Sequence, residues 1–130
     1  MTCLETSFLI DLVRGSQEIV ELKNELNRSE ARLTIASPSL MELWSGALLR
    51  KVSDAQMHRI AELATAFQIL PFDAETAKEA GEIEAALIKK GMQIQTEDIM
   101  IAAIAMTHGE KLVTRDSDFA RIDGLRLLKY

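Results

Sequence analysis

Short apolar runs alternate along the chain with longer stretches in which apolar residues recur every three or four positions, a pattern that predicts alternating strands and helices. The run CLE is followed by Thr6 and Ser7, and FLIDLVRG then places apolar residues at 8, 9, 10, 12 and 13 before Gly15. This reads as a strand, a polar turn and a short helix stopped by glycine. Residues 16–30 carry apolar positions at 19, 22 and 26, the period of an amphipathic helix with one buried face. LTIAS reads as a second strand, and Ser37 before Pro38 has the form of an N-cap followed by a first-turn proline. Glu42 then falls about one turn into the next helix. Residues 54–68 again have helical spacing, and ILPF gives a brief strand-like run ended by proline. Asp73 is expected to cap a helix whose C-terminal glycine is Gly91. Thr96 and Asp98 open another helix, IMIAAIAMTHG, which is apolar almost all round and therefore expected at the centre of the fold. KLVT predicts a strand, DSDFARIDG a turn region, and LRLLKY a final edge strand.

Strands separated by helical stretches require crossover connections, so the expected class is α/β with a mainly parallel central sheet of four or five strands. No repeat, low-complexity run or linker interrupts residues 1–130, which are read as a single domain. Hydrophobic residues make up 48% of the chain but aromatics only 5%, so the core should be aliphatic, as suits helices packed on a parallel sheet. The single cysteine, Cys3, excludes an internal disulfide and a multi-cysteine zinc site, and is expected in a buried strand. FLIDLV is too short for a signal peptide, carries Asp11 and has no basic flank, and no segment approaches a membrane span. The expectation is a soluble cytoplasmic protein with no membrane partner. A formal charge of -5 argues against holding nucleic acid by bulk positive field, yet leaves room for a nuclease whose acidic site is reversed in sign by bound cations.

Four acids stand where such a fold gathers its chemistry: Glu5 at the end of the first strand, Glu42 in SPSLMELW, Asp98 in TEDIMIAA and Asp116 just after the strand KLVT, past Arg115. Each has a plain structural reading. Glu5 could be an ion-paired strand end, Asp98 and its neighbour Glu97 suit the first turn of a helix, Glu42 could face solvent, and Asp118 could cap the next turn. Together they change the picture, because clustered carboxylates repel and take up protons unless a cation sits among them. Magnesium or manganese suits such an oxygen-rich site, and the matching chemistry is phosphodiester hydrolysis. Glycine-rich phosphate loops, GxSxG, HExxH and CxxC are all missing from the sequence. His58 and His108 read as a helix-face residue and a helix C-cap. Arg14, Arg50, Lys51 and Arg115 offer scattered phosphate contacts, and Lys89 and Lys90 solvate a helix end. Apolar residues in FLIDLV and LMELWSGALL exceed one buried stripe, so Trp44 and Leu48 are candidates for a partner surface as well as for the core.

In order and spacing, MTCLETSFLIDLVRG, SPSLMELWSGA and TEDIMIAAIAMTHGEKLVTRDSDFARIDGLRL resemble the PIN-domain family, and within it the VapC-type ribonuclease toxins, over essentially the full length. The resemblance implies a three-layer α/β/α sandwich, Mg2+- or Mn2+-dependent cleavage of RNA, a homodimer, and a cognate VapB-type antitoxin that covers the active site. It places Glu5, Glu42, Asp98 and Asp116 at the four acidic positions, with Glu5, Asp98 and Asp116 as metal ligands. Thr6, Ser7, Thr114 and Asp118 become supporting polar residues. One departure stands out: the family carries aspartate where this chain has Glu5, in LETS. The extra methylene adds about 1.5 Å of reach, and near-octahedral magnesium tolerates displaced ligands poorly. Reduced activity on a preserved fold is therefore expected, and its extreme is an inactive PIN-like module that still binds antitoxin or RNA. An aspartyl-phosphate signalling domain also uses acids at strand ends, but Glu5 replaces the paired acids it would need after the first strand.

Overall fold

A computed structural model describes residues 1–29 and 32–130. Its first half runs β1 (Thr2–Leu4), α1 (Thr6–Val13), α2 (Gln17–Ser29), β2 (Leu33–Ala36), α3 (Ser37–Arg50) and α4 (Asp54–Ala66). The second half continues with β3 (Gln68–Leu70), α5 (Ala74–Lys89), α6 (Thr96–Thr107), β4 (Lys111–Thr114), a 3-10 turn over Ser117–Arg121 and β5 (Leu127–Lys129). Glu30, where the second predicted helix ends, lies outside the described residues. Among the described residues no helix is long and apolar enough to cross a membrane.

The five strands are all parallel, in the order β3-β2-β1-β4-β5. Strand residues alternate between two cores, as the period of two demands. Cys3, Ala36, Leu70 and Leu112 face α5 and α6, whereas Leu4, Leu33, Ile35 and Val113 face α1 to α4. Helices therefore cover both faces of the sheet, giving the three-layer α/β/α sandwich. Two rings anchor the layers: Phe8 lies on the α1–α4 side and Phe119 on the α5–α6 side, both fully buried. Residues 101–105 of α6 have no exposed surface, which explains why that helix lacks a polar face.

Helix ends follow local chemistry with one correction. Asp73 caps α5 through a reciprocal pair with Thr76, Gly91 follows with φ of 70°, and His108 caps the C-terminus of α6. The N-cap of α3, however, is Ala36 and not Ser37, because β2 passes straight into the helix and Pro38 takes an early helical position. The predicted turn after β4 tightens into a 3-10 helix started by Asp116.

The chain reverses its order between β1 and β4, since β2 and β3 are laid to one side of β1 and β4 and β5 to the other. In open parallel sheets the crevice beyond the C-terminal strand ends at such a switch point is the natural ligand site. Cys3 aligns with Leu112 and Leu4 with Val113, so both strands finish side by side at that crevice.

At the opposite end of the sheet sits a buried acid outside that crevice. Glu110 is 2% exposed, accepts from Thr34 Oγ1, and leaves Oε1 with no hydrogen-bond partner among the described residues. Burial raises its pKa, against opposing effects of the Thr34 hydroxyl, the N-terminus, His108 and Arg32. The folded state thus keeps the proton longer than the unfolded one, and stability falls as pH climbs above the ordinary glutamate range. Urea unfolding of the natural chain and Glu110→Gln at pH 5 and pH 8 should show the variant gaining relative stability at the higher pH. Parallel pH profiles would contradict this reading.

Candidate active site

Glu5 leaves β1 at the switch point, with its backbone N–H bonded to Val113 O at 3.1 Å. It is the N-cap of α1, and its side chain is 4% exposed. Carboxylate oxygen Oε2 accepts the backbone N–H of Ser7 at 3.1 Å; Oε1 accepts the Ser7 hydroxyl at 2.6 Å and the Thr114 hydroxyl as well. Thr114 ends β4, and its Oγ1 in turn accepts the backbone N–H of Asp116 at 3.0 Å. Asp116 then accepts the N–H of Asp118 at 2.9 Å through Oδ1 and so starts the 3-10 turn. Asp116, not Asp118, is the capping residue there.

Two helix-borne acids approach from the other sides. Asp98 is the third residue of α6, buried to 7% exposure. Its pKa is pushed up to about 7, first by burial and then by the charges of Glu42, Asp116, Glu5 and Asp118. Glu42, on α3, accepts the Thr6 hydroxyl at 2.8 Å, and Thr6 Oγ1 also lies 3.0 Å from Ser39 Oγ. Burial raises the Glu42 pKa more than the Thr6 bond lowers it, and the charges of Glu5 and Glu97 push in the same direction as burial.

All four predicted acids thus belong to one interacting group. Within it, Asp98, Asp116 and Asp118 each offer one oxygen, and these three atoms lie within 4.8 Å of one another. Glu5 is not a member of that closest set, its carboxylate being turned onto Ser7 and Thr114. Asp118, expected only as support, is. The spacing Asp-Ser-Asp after a strand carried this information only once the turn's geometry was known, because both side chains must be brought to the same side. Cations are sparse here. Arg121 lies 3.5 Å from Asp118, and Arg115 is held by Asp11 at 3.0 Å, away from the acids. Among the described residues Glu5, Glu42, Asp98 and Asp116 have no ion pair. Tyr130 completes the rim: its hydroxyl is 3.3 Å from Ser7 Oγ, and its ring meets Phe8 edge-on, with centroids 5.4 Å apart.

Three hard oxygen donors converging with a single partly exposed arginine at the edge, beside Asp118, one of the three a buried aspartate whose pKa is raised to about 7, match the requirements of a divalent cation. The donor set fits magnesium-like ions better than zinc, which favours nitrogen and sulfur.

Comparison with known proteins identifies relatives of the whole chain. A family model for the PIN domain matches residues 2–125. Ribonuclease VapC11 of Mycobacterium tuberculosis is 33% identical, over 100% of this chain and 99% of that protein. The tRNA(fMet)-specific endonuclease VapC of Salmonella typhimurium is 30% identical, over 95% of this chain and 93% of its own length. Among solved structures, DNA-bound VapBC from Salmonella typhimurium is matched with a TM-score of 0.82 at 30% identity, covering 99% of this chain and 98% of that one. VapBC2 from Rickettsia felis, bound to a DNA fragment from its promoter, has a TM-score of 0.90 at 24% identity with the same coverage, a likeness of fold. With sequence, topology and the convergence of acids at the switch point in agreement, the chain belongs to the PIN-domain family.

Proposed function

We propose that this protein is a divalent-metal-dependent endoribonuclease, the toxin of a toxin–antitoxin pair, acting as one PIN domain over residues 1–130. The observation that carries the reading is the close set of Asp98, Asp116 and Asp118 beside Glu5 and Glu42 at the β1/β4 switch point. The relatives' names supply the substrate class: one is a tRNA-specific endonuclease and another a ribonuclease. An RNA substrate of this kind supports a cytoplasmic site of action.

Asp98, Asp116 and Asp118 would hold Mg2+ or Mn2+. The ion, when bound, neutralises charge on the scissile phosphate and makes water a usable nucleophile near neutral pH. The remaining residues bind, orient and move protons. Glu42 has Oε1 occupied by Thr6, leaving Oε2 to take or return a proton, and its raised pKa brings that exchange closer to neutrality. Glu5, Ser7 and Thr114 fix the turn that carries Asp116. RNA choice then rests on contacts to unstacked bases around the crevice rather than on the acids.

A partner surface is present as well. Along α3, Met41, Trp44, Leu48 and Leu49 are exposed, Leu48 to 62% and Leu49 to 81%. The Salmonella typhimurium relative is seen as a VapBC complex, which supports an antitoxin as partner, and a second copy of this chain is the other occupant expected on such a ridge. The three donors tying Glu5 favour a second reading, a PIN module weak in catalysis that still pairs with an antitoxin.

Three outcomes are expected. Structured RNAs including tRNA, incubated with manganese or magnesium, should be cut by the natural chain, with loss on chelation and a fall of about 100-fold or more in Asp98→Asn and Asp116→Asn. Intact RNA with both the natural chain and Glu5→Asp, despite retained antitoxin binding, would favour the second reading. Stability should also respond at Asp98. Its folded pKa of about 7 lies above the unfolded value of 3.8, so metal-free protein loses stability as pH rises between these values and stays penalised above them. Asp98→Asn should therefore unfold at higher urea than the natural chain at pH 8, and should lose most of the natural chain's stabilisation by manganese. Equal midpoints at pH 8 would contradict the electrostatic account. Finally, Leu48→Asp should weaken chain pairing or antitoxin binding in size-exclusion and calorimetric assays while leaving the melting curve intact; a collapsed melt would place Leu48 in the core.

A further inference from the structure

The geometry points to Glu5 as a positioning residue that sets the Asp116–Asp118 turn through Thr114, and not as a ligand of the divalent ion. The inference deepens the reading proposed above and rests on its metal site. A carboxylate offers about four lone-pair sites, and three of Glu5's are taken by Ser7 N–H, Ser7 O–H and Thr114 O–H. By contrast, Asp98 accepts no hydrogen bond among the described residues, and Asp116 uses only Oδ1, for the N–H of Asp118. Asp98 and Asp116 therefore leave more carboxylate oxygen open to a cation than Glu5, whose Oε1 accepts two hydroxyls and whose Oε2 accepts the Ser7 N–H.

The same hydrogen bonds say what Glu5 does instead. Thr114 has one hydroxyl proton. Given to Glu5, that proton leaves an Oγ1 lone pair facing the Asp116 N–H, which it accepts at 3.0 Å. Asp116 then holds the N–H of Asp118, so the positions of two of the three close aspartates depend on a rotamer that Glu5 locks. On the other side, Ser7 gives its proton to Glu5 and is left to accept from Tyr130, at 3.3 Å. A polar line therefore crosses the site from Tyr130 through Ser7, Glu5 and Thr114 to Asp116.

Manganese titration by calorimetry, on the natural chain, Glu5→Ala, Glu5→Gln, Thr114→Val and the Glu5→Ala/Thr114→Val double variant, separates the two roles. Outer partners of metal ligands typically contribute about 10- to 100-fold in affinity. Glu5→Ala and Thr114→Val should each weaken binding within that range, the double variant should be no weaker than Glu5→Ala alone, and Glu5→Gln, whose amide oxygen can still accept from Thr114, should return to within about tenfold of the natural chain. Glu5→Gln as weak as Glu5→Ala, or losses that multiply in the double variant, would make Glu5 a direct ligand and overturn the inference. Should Glu5→Ala fail to fold by circular dichroism, Thr114→Val binding less tightly than Glu5→Gln supports the positioning role, and the reverse order overturns it. No saturable manganese binding by the natural chain would remove the metal reading itself, and this inference with it.

Discussion

The parallel pairing of β1 with β4 is the constraint on which the site depends. Leu4 opposite Val113 brings the two strand ends level, and the Glu5 N–H to Val113 O bond extends that register by one step beyond β1. From there Glu5 and Thr114 are adjacent across the switch point, close enough for a direct hydrogen bond between residues 109 positions apart in sequence. A one-residue slip would turn Leu4 and Val113 out of the aliphatic core they share with Phe8 and Ile35, so core packing defends the site's geometry. Burial of aliphatic side chains on both faces of the sheet stabilises a register whose functional product is electrostatically unfavourable.

That unfavourable product explains the chemistry. Asp98 reaches the crevice on α6, a helix buried along residues 101–105, and has little freedom to move away from Asp116 and Asp118. Repulsion and desolvation therefore appear as a raised pKa instead of as a displaced side chain. A proton relieves the strain at low pH, and a divalent cation would relieve it at neutral pH. Under the proposed function, stability and activity would be coupled through the same carboxylates, with the metal-free fold weakest where the metal-bound one is expected to work.

Much of this was legible in the sequence because it rests on local patterns. Strand and helix order, the cap at Asp73, the buried α6 and the acids at strand ends and helix starts all follow from period and turn chemistry. What stayed hidden depends on direction in space. The α3 cap moved to Ala36 because a strand feeds directly into the helix, which no local composition records. Asp118 joined Asp98 and Asp116 because a 3-10 turn aims it there, and Glu5 turned aside because Ser7 and Thr114, from opposite ends of the chain, both donate to it. Tyr130 at the rim was beyond reach for the same reason: only β5 beside β4 brings it to Ser7.

The acids gathered at the switch point would be completed by a divalent cation lying among the aspartates. Anomalous diffraction from crystals of the protein soaked in manganese tests it most directly. A manganese peak coordinated by Asp98, Asp116 and Asp118, with Glu5 still bonded to Thr114, is the expected result. A crevice without a peak at saturating manganese, or an ion coordinated by Glu5 and Glu42 with the aspartates apart, would contradict it.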